Sequence, residues 1–334
     1  MDKNIYSNSN LNYTKTIVIT GGAGFLGRHL CSTLLKNNHK VICIDNLITG
    51  NLKNIEDFKS NELFSFINHD ISRELPIEIN NDDTHIDEIY NLASLASPEK
   101  YKTYPIETIM VNFMGTKNML DLAKKKHAKF LLTSTSEVYG DPLVHPQAED
   151  YYGNVNTVGA RSCYDESKRL AETITYEYNK KFNIDTKIVR IFNTYGPYMD
   201  LRDGRVITNF INKINNNEPV EIYGNGEQTR SFCYVDDMID GLIKMMNSKE
   251  HGPINIGNPF CEFTLNQLVI CLEKLFKKQI KVNYLEPTEN DPKCRKPIID
   301  RAIKYLNWEP KIDIENGLMK TIDYFNSILI PKIQ

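Results

Sequence analysis

The tightest constraint on this chain is a glycine turn set between a strand pattern and a helix pattern. Thr16–Thr20 (TIVIT) is a short, β-branched apolar run that predicts a buried strand, and Gly24–Lys36 carries an amphipathic helical pattern. Between them stand Gly21, Gly22, Ala23 and Gly24, followed by Phe25, Leu26 and Gly27. Gly22 to Gly27 reads G-x-G-x-x-G, and Gly21, Gly24 and Gly27 recur at every third position. One glycine permits the tight turn, one lets backbone approach a pyrophosphate, and one lets the helix pack closely on the strand. The open amides and dipole of the helix start favour phosphate charge. Alone, such a turn is common. Here Val41–Asp45 (VICID) supplies a second strand that ends in an acid, at about the 20-residue spacing expected after the glycines. A carboxylate there accepts from both ribose hydroxyls and repels a 2′-phosphate, which favours NAD over NADP. Asp70, after a third strand, could reach the adenine amino group or simply cap a turn.

The rest of the first half keeps the same alternation. Leu63–Ile67, Glu88–Leu92, Phe130–Ser134 and Lys187–Phe192 read as strands, and Glu107–Lys126 and Arg161–Phe182 as long helices. That order implies an α/β, Rossmann-type doubly wound parallel sheet with helices on both faces. From Asn193 onward the chain is richer in Gly, Pro and Asn and its elements look shorter. The expected organisation is a flexible tail over residues 1–15, an NAD-binding unit over 16–192, and a smaller C-terminal α/β region over 193–334. The last is mainly for substrate, with some segments returning to the first unit.

Bulk properties exclude several classes. A net charge of −3 argues against nucleic-acid binding through a basic surface. No apolar stretch approaches the ~20 residues of a membrane span. The Asn- and Ser-rich start, Met1–Tyr13, lacks the apolar core of a signal peptide. The seven cysteines are odd in number and widely spaced, with no C-x-x-C pair. They suggest neither a metal site nor a disulfide framework, and a cytoplasmic location is expected.

The chemistry-bearing residues cluster in the middle of the chain. Tyr164 and Lys168 are one turn apart and share a helix face. A nearby ammonium is expected to lower the phenol's pKa, so that it can take a proton from a sugar hydroxyl. Tyr176 and Lys180 repeat the spacing, so spacing alone does not decide. Position does: about 30 residues before Tyr164, the run Thr133-Ser134-Thr135-Ser136-Glu137 follows an apolar strand at its C-terminal end, where parallel sheets bind ligands. Arg205, Arg230 and Arg295 are candidate substrate cations, because the guanidinium fork suits phosphate and carboxylate.

Together GGAGFLGRHL, TSTSEVYG, GARSCYDESKR, RIFNTYGP, EQTRSFCYV and DPKCRKPIID resemble the extended short-chain dehydrogenase/reductase family, and within it the UDP-glucuronate decarboxylase branch. The resemblance spans Thr16 to about Trp308. It implies an NAD cofactor held by Gly21, Gly24, Phe25, Leu26, Gly27, Asp45, Asn46, Asp70 and Leu92, with Tyr164 and Lys168. It implies catalytic roles for Thr135, Ser136, Glu137 and Arg295 beside Tyr164 and Lys168. It places the substrate against Tyr101, Asn193, Arg205, Tyr223, Arg230 and Arg295, with Tyr101 at the sugar carboxylate and Asn193 and Tyr223 at the diphosphate and uracil. The implied reaction is C4 oxidation of UDP-glucuronate, loss of C6 as carbon dioxide, and C4 re-reduction to UDP-xylose. It also implies a homodimer paired through the helices near Glu107–Lys126 and Arg161–Phe182.

The subfamily rests on Ser136-Glu137. Dehydratases of this family usually carry Asp-Glu there, and epimerases usually lack the Glu. Glu137 could also serve merely to hold an arginine or the backbone. Two departures stand out: Leu95 where a small turn residue is usual, and Ser167 where the family has glycine. The alternatives are a nucleotide-sugar 4,6-dehydratase or 4-epimerase, a decarboxylase that releases the UDP-4-keto-pentose, and a non-catalytic NAD-binding sensor.

Overall fold

The protein is described by a computed structural model covering residues 13–287 and 294–329. The tail expected over residues 1–15 therefore lies outside the described residues up to 12. Of the remainder, Lys15 extends its ammonium to the buried Glu88 at 2.5 Å.

The first half runs β1 (Thr16–Thr20), α1 (Phe25–Lys36), β2 (Lys40–Asp45), β3 (Phe64–Asn68), α2 (Ile77–Asn80), β4 (Glu88–Asn91), α3 (Pro98–Thr103), α4 (Pro105–Met110), α5 (Thr116–Lys126), β5 (Lys129–Thr135), α6 (Ser162–Phe182) and β6 (Thr186–Ile191). The second half runs β7 (Thr194–Tyr195), α7 (Val206–Asn215), β8 (Val220–Tyr223), β9 (Thr229–Ser231), β10 (Cys233–Tyr234), α8 (Val235–Asn247), β11 (Ile254–Ile256), β12 (Glu262–Thr264), α9 (Leu265–Phe276), β13 (Val282–Leu285), α10 (Asp300–Leu306) and α11 (Ile314–Leu329).

Seven strands form one parallel sheet in the order β11-β6-β5-β4-β1-β2-β3. β1 is buried on both faces, which is why it reads as an unbroken apolar run rather than an alternation. Its side chains still alternate. Ile17 and Ile19 join the core shared with α1 and the C-terminal elements, whereas Val18 joins the one beneath α5 and α6. The chain leaves β1 toward β2 and β3 on one side and returns to β4, β5 and β6 on the other. The crevice between β1 and β4, at the C-terminal strand ends, is therefore where a ligand is expected.

Two expectations needed revision. The long helix over Glu107–Lys126 is interrupted by a π-turn at Val111–Gly115 between α4 and α5. Asn112 in that turn donates to the Ser167 hydroxyl at 2.9 Å, and an added Cβ at Gly115 would stand 2.9 Å from Ile71. The local sequence remains compatible with helix throughout, so the π-turn answers to α6 and Ile71 across space. Beyond Asn193 the strands are short, but the helices are not: α8 has 13 residues and α11 has 16. Their apolar faces pack into the core that also holds Ile17 and Leu30.

Candidate active site

The glycine turn is built from backbone touching backbone. Gly21 has φ +69°, a conformation that a side chain disfavours, and a Cβ there would lie 2.9 Å from the Ala93 backbone. A Cβ on Gly27 would stand 2.2 Å from the Gly21 carbonyl oxygen, so α1 can lie this close to the turn only with glycine. Gly24 caps α1 and supplies no side chain to its first amides, and Gly24, Phe25, Leu26 and Gly27 all face the crevice. The buried Asp45 carboxylate accepts from the Ala23 amide at 3.1 Å and the Leu47 amide at 2.8 Å. Burial pushes its pKa up, and the two backbone amides oppose that rise. Asp45 thus ties the glycine turn to the loop after β2 while lining the crevice. Asn46 accepts from the Ile48 amide, and Asp70 accepts from both the amide and the hydroxyl of Ser72. Leu92 donates its amide to Thr20. All three line the same wall.

The crevice has a volume of about 1670 Å³, larger than a pocket for one drug-sized molecule. Tyr164 and Lys168 project into it from the first turns of α6, opposite Thr135 at the end of β5. The Lys168 ammonium donates to the Thr133 carbonyl at 3.0 Å. Burial pushes the Lys168 pKa down to about 8, with Glu172 pulling the other way. Burial pushes the Tyr164 phenol up to about 12, against the Thr135 hydroxyl beside it. In this arrangement Lys168 is not among the groups that lower the phenol. The lysine is engaged with the strand, and loss of water around the phenol outweighs the helping charges. Tyr176, the other half of the repeated spacing, is 56% exposed and only accompanies Lys180 at the surface.

A charge cluster closes the far end. Arg295 donates to Glu137 at 2.8 Å, to the Ser136 hydroxyl at 3.0 Å and to the Gly140 carbonyl at 2.8 Å. Arg161 donates to the other Glu137 oxygen and lies 3.8 Å from Asp165. Burial alone would raise the Glu137 pKa, but Arg295, Arg161 and Arg230 overcome it and hold the carboxyl well below its usual range. Asp165 goes the other way, raised by burial and by the charge of Glu137. Glu137 therefore lines the crevice and holds two arginines.

The other substrate candidates are brought together. Tyr101, Asn193, Arg205, Tyr223 and Arg230 line the crevice. Tyr101 stacks on Tyr164 with ring centroids 5.2 Å apart, and Arg205 pairs with Asp203 at the start of α7. The Asn193 carbonyl accepts from Cys233, and Arg230 donates to the Thr229 carbonyl. Arg295 differs. It is 1% exposed and sits behind Ser136 and Glu137 rather than on the wall. Arg161 was missed as a site residue; its place three residues before Tyr164 and four before Asp165, on one helix face, was the available signal. Ser94 and Ser97 were also missed. Their hydroxyls are buried at the crevice and have no hydrogen-bond partner among the described residues.

Residues 17–257 match the family model described as "NAD dependent epimerase/dehydratase family". The chain belongs to the NAD dependent epimerase/dehydratase family. It is 47% identical over 315 residues to UDP-glucuronic acid decarboxylase 1 of Xenopus tropicalis, covering 94% of this chain and 73% of that protein. It is 49% identical over 303 residues to UDP-glucuronic acid decarboxylase 3 of Arabidopsis thaliana, covering 90% and 86%. Among solved structures it is similar to UDP-glucuronic acid 4-epimerase from Bacillus cereus in complex with UDP-glucuronic acid and NAD. That likeness has a TM-score of 0.85 at 30% identity, covering 94% of this chain and 99% of that one. UDP-glucose 4-epimerase from Thermotoga maritima gives a TM-score of 0.87 at 28% identity, with coverage of 94% and 99%.

The cofactor of this epimerase/dehydratase family member is NAD, and the turn fits it. A cradle that a Cβ at Gly21 or Gly27 would fill, with side-chain-free helix amides above it, is what a pyrophosphate requires. The buried Asp45 carboxylate fits a ribose diol and disfavours an added phosphate.

Proposed function

We propose that this protein converts UDP-glucuronate to UDP-xylose and carbon dioxide, with residues 16–192 mainly holding NAD and 193–334 mainly holding the UDP-sugar. The observation that carries this reading is Glu137, held ionised by Arg295 and Arg161 next to Ser136 in a chain that is nearly half identical to named UDP-glucuronic acid decarboxylases. A dehydratase needs an acid at this place to expel the C6 hydroxyl. Ser136 is not one, and a carboxylate kept ionised accepts hydrogen bonds without giving a proton.

The residues divide the work. Gly21, Gly24 and Gly27 shape the phosphate cradle, and Asp45 takes the adenosine ribose. When bound, NAD+ supplies an acceptor for the C4 hydride that is returned within the same turnover. Tyr164 takes the C4 hydroxyl proton, with Thr135 and Ser136 holding the sugar oxygen in reach. Lys168 supports the phenolate once the site is charged. The C4 ketone lies β to the C6 carboxylate, so the C5–C6 bond breaks with its electron pair delocalised onto the C4 oxygen and carbon dioxide leaves. A proton at C5 gives the 4-keto-pentose, and Tyr164 returns its proton to the C4 oxygen during re-reduction. The sum is UDP-glucuronate plus one proton to UDP-xylose plus carbon dioxide.

A 4-epimerase of the same sugar is the second reading, because the Bacillus cereus structure that it resembles is named for that activity. Product NMR after incubation with UDP-glucuronate and NAD+ separates the outcomes. UDP-xylose is expected. A C4-inverted uronate would establish the epimerase, and accumulated 4-keto-pentose with NADH would limit the enzyme to the first half of the cycle.

The protein is further proposed to be a cytoplasmic homodimer. Ile106, Ile109 and Met110 on α4 and Leu170 on α6 are exposed apolar residues on adjoining helices, a face suited to a second copy. No helix among the described residues is long and apolar enough to cross a membrane. Light scattering should give twice the chain mass; a monomer at all concentrations would contradict the dimer.

A further inference from the structure

We infer that Arg161 is the residue that reads the C6 carboxylate of the sugar, exchanging Glu137 for the substrate's acid group. The inference rests on the UDP-glucuronate reading above and deepens it. Two arginines hold Glu137, and they occupy different places. Arg295 is enclosed, 1% exposed, and bound to Ser136 and the Gly140 carbonyl as well as to Glu137. Arg161 lies on the crevice wall, one turn before Tyr164, with its guanidinium 6.0 Å from the centre of the Tyr101 ring. A carboxylate entering beside Tyr164 meets Arg161 and does not meet Arg295.

The exchange is electrostatically possible because Glu137 is doubly held. When Arg161 turns to the substrate, Glu137 keeps Arg295 at 2.8 Å and is not left as an unpaired, partly buried charge, a costly outcome for such a group. The crevice also offers the remaining donors. The Tyr101 phenol and the Ser97 hydroxyl are buried at its wall without a hydrogen-bond partner among the described residues, a state that bound acceptor oxygens would relieve. A cation resting wholly on the carboxylate would oppose its loss as carbon dioxide. Asp165, 3.8 Å from Arg161, and Glu137 both compete for that cation, so its charge is shared. Arg161 is thus a specificity residue for an acid-bearing sugar.

The test measures selectivity rather than turnover. The full chain, saturated with NADH, is titrated calorimetrically with UDP-glucuronate and with UDP-xylose, which lacks the carboxylate. In Arg161→Met, affinity for UDP-glucuronate should fall by roughly tenfold or more, the size of one lost charge-assisted hydrogen-bond pair, while UDP-xylose binds as in the wild type. Arg161→Lys should recover part of the loss and serves as the folded control. Equal weakening for both nucleotides in both variants would make Arg161 a scaffold for Glu137, and unchanged selectivity would remove it from the carboxylate site; either result overturns the inference. Wild-type protein that prefers UDP-glucuronate through Arg161 but releases no carbon dioxide would instead count against the decarboxylase reading alone.

Discussion

The two ends of the crevice are built in opposite ways. The cofactor end is backbone: the cradle from Gly21 to Gly27 and the Asp45 carboxylate that ties it down come from the first 45 residues, in strand, turn and strand. The reacting end is charge. Glu137, Arg161 and Arg295 come from a short turn after β5, the start of α6 and the stretch before α10, and the contact between Arg295 and Glu137 joins positions 158 residues apart. A backbone site tolerates no added atoms but carries little charge to lose. A charge site tolerates shape changes but not the removal of one member. The two ends should therefore fail differently when altered.

The largest effect belongs to the reacting end. Tyr164→Phe removes the proposed proton acceptor, and kcat should fall by roughly 10²–10⁴-fold with nucleotide-sugar affinity largely kept. Tyr176→Phe, on the same helix, should leave turnover within about twofold, since its ring is at the surface. A fall in the second variant like that in the first would dissolve the distinction between the two Tyr-x-x-x-Lys pairs.

Next is Arg295→Met. It leaves the partly buried Glu137 with Arg161 as its main cation, and stability at neutral pH should drop by about 2 kcal/mol, below the range for a fully buried broken pair. The sign with pH follows from the carboxyl. In the wild type its pKa is held down, so the stabilisation is present above the ordinary glutamate range and is lost only as pH falls through the depressed value. In the variant burial dominates and the pKa rises, so acidification from neutral toward about pH 5 should narrow the gap between the two proteins. Denaturant melts across that interval would show the convergence; a gap independent of pH would mean that Glu137 is not the group responsible.

Gly27→Ala probes the cofactor end. Its methyl group would fall on the Gly21 carbonyl oxygen, so α1 must shift, at about 1–3 kcal/mol for overpacking. NAD affinity should weaken by roughly tenfold, while the pH response of Glu137 stays that of the wild type. Unchanged NAD binding would break the claim that close backbone approach is what this end requires.

The smallest effect concerns Lys168. Burial lowers its pKa to about 8, whereas the unfolded chain keeps the proton to about 10.4. Between those values the unfolded state holds more protons, so stability rises with pH. The wild type should gain about 1 kcal/mol relative to Lys168→Met between neutral pH and about pH 9, and parallel melting curves would show that Lys168 is not buried as a cation.

The same contrast explains what was legible beforehand. TIVIT, the glycines and VICID are contiguous, and each announces its geometry through residue type, so the sheet and its crevice could be read directly. Ser136-Glu137 and Tyr164 with Lys168 were visible as motifs, but their electrostatics were not. Desolvation raises the phenol and lowers the ammonium, and no linear spacing reports how much water a folded site retains. In sequence Arg161 marks only a helix boundary, because its partner Glu137 lies 24 positions away in another element. The π-turn at Val111–Gly115 was hidden for the same reason: its tie runs from Asn112 to Ser167. What is set by backbone could be read from neighbours in sequence; what is set by burial and charge could not.

The most direct measurement follows the C6 carbon itself. The full chain is incubated with NAD+ and UDP-glucuronate labelled at C6, and the label is tracked between the gas phase and the nucleotide sugar. Release of the label as carbon dioxide, one for each UDP-xylose formed and with no net NADH, is the predicted result. Label that stays in the nucleotide sugar while C4 inverts would contradict decarboxylation and make this an epimerase.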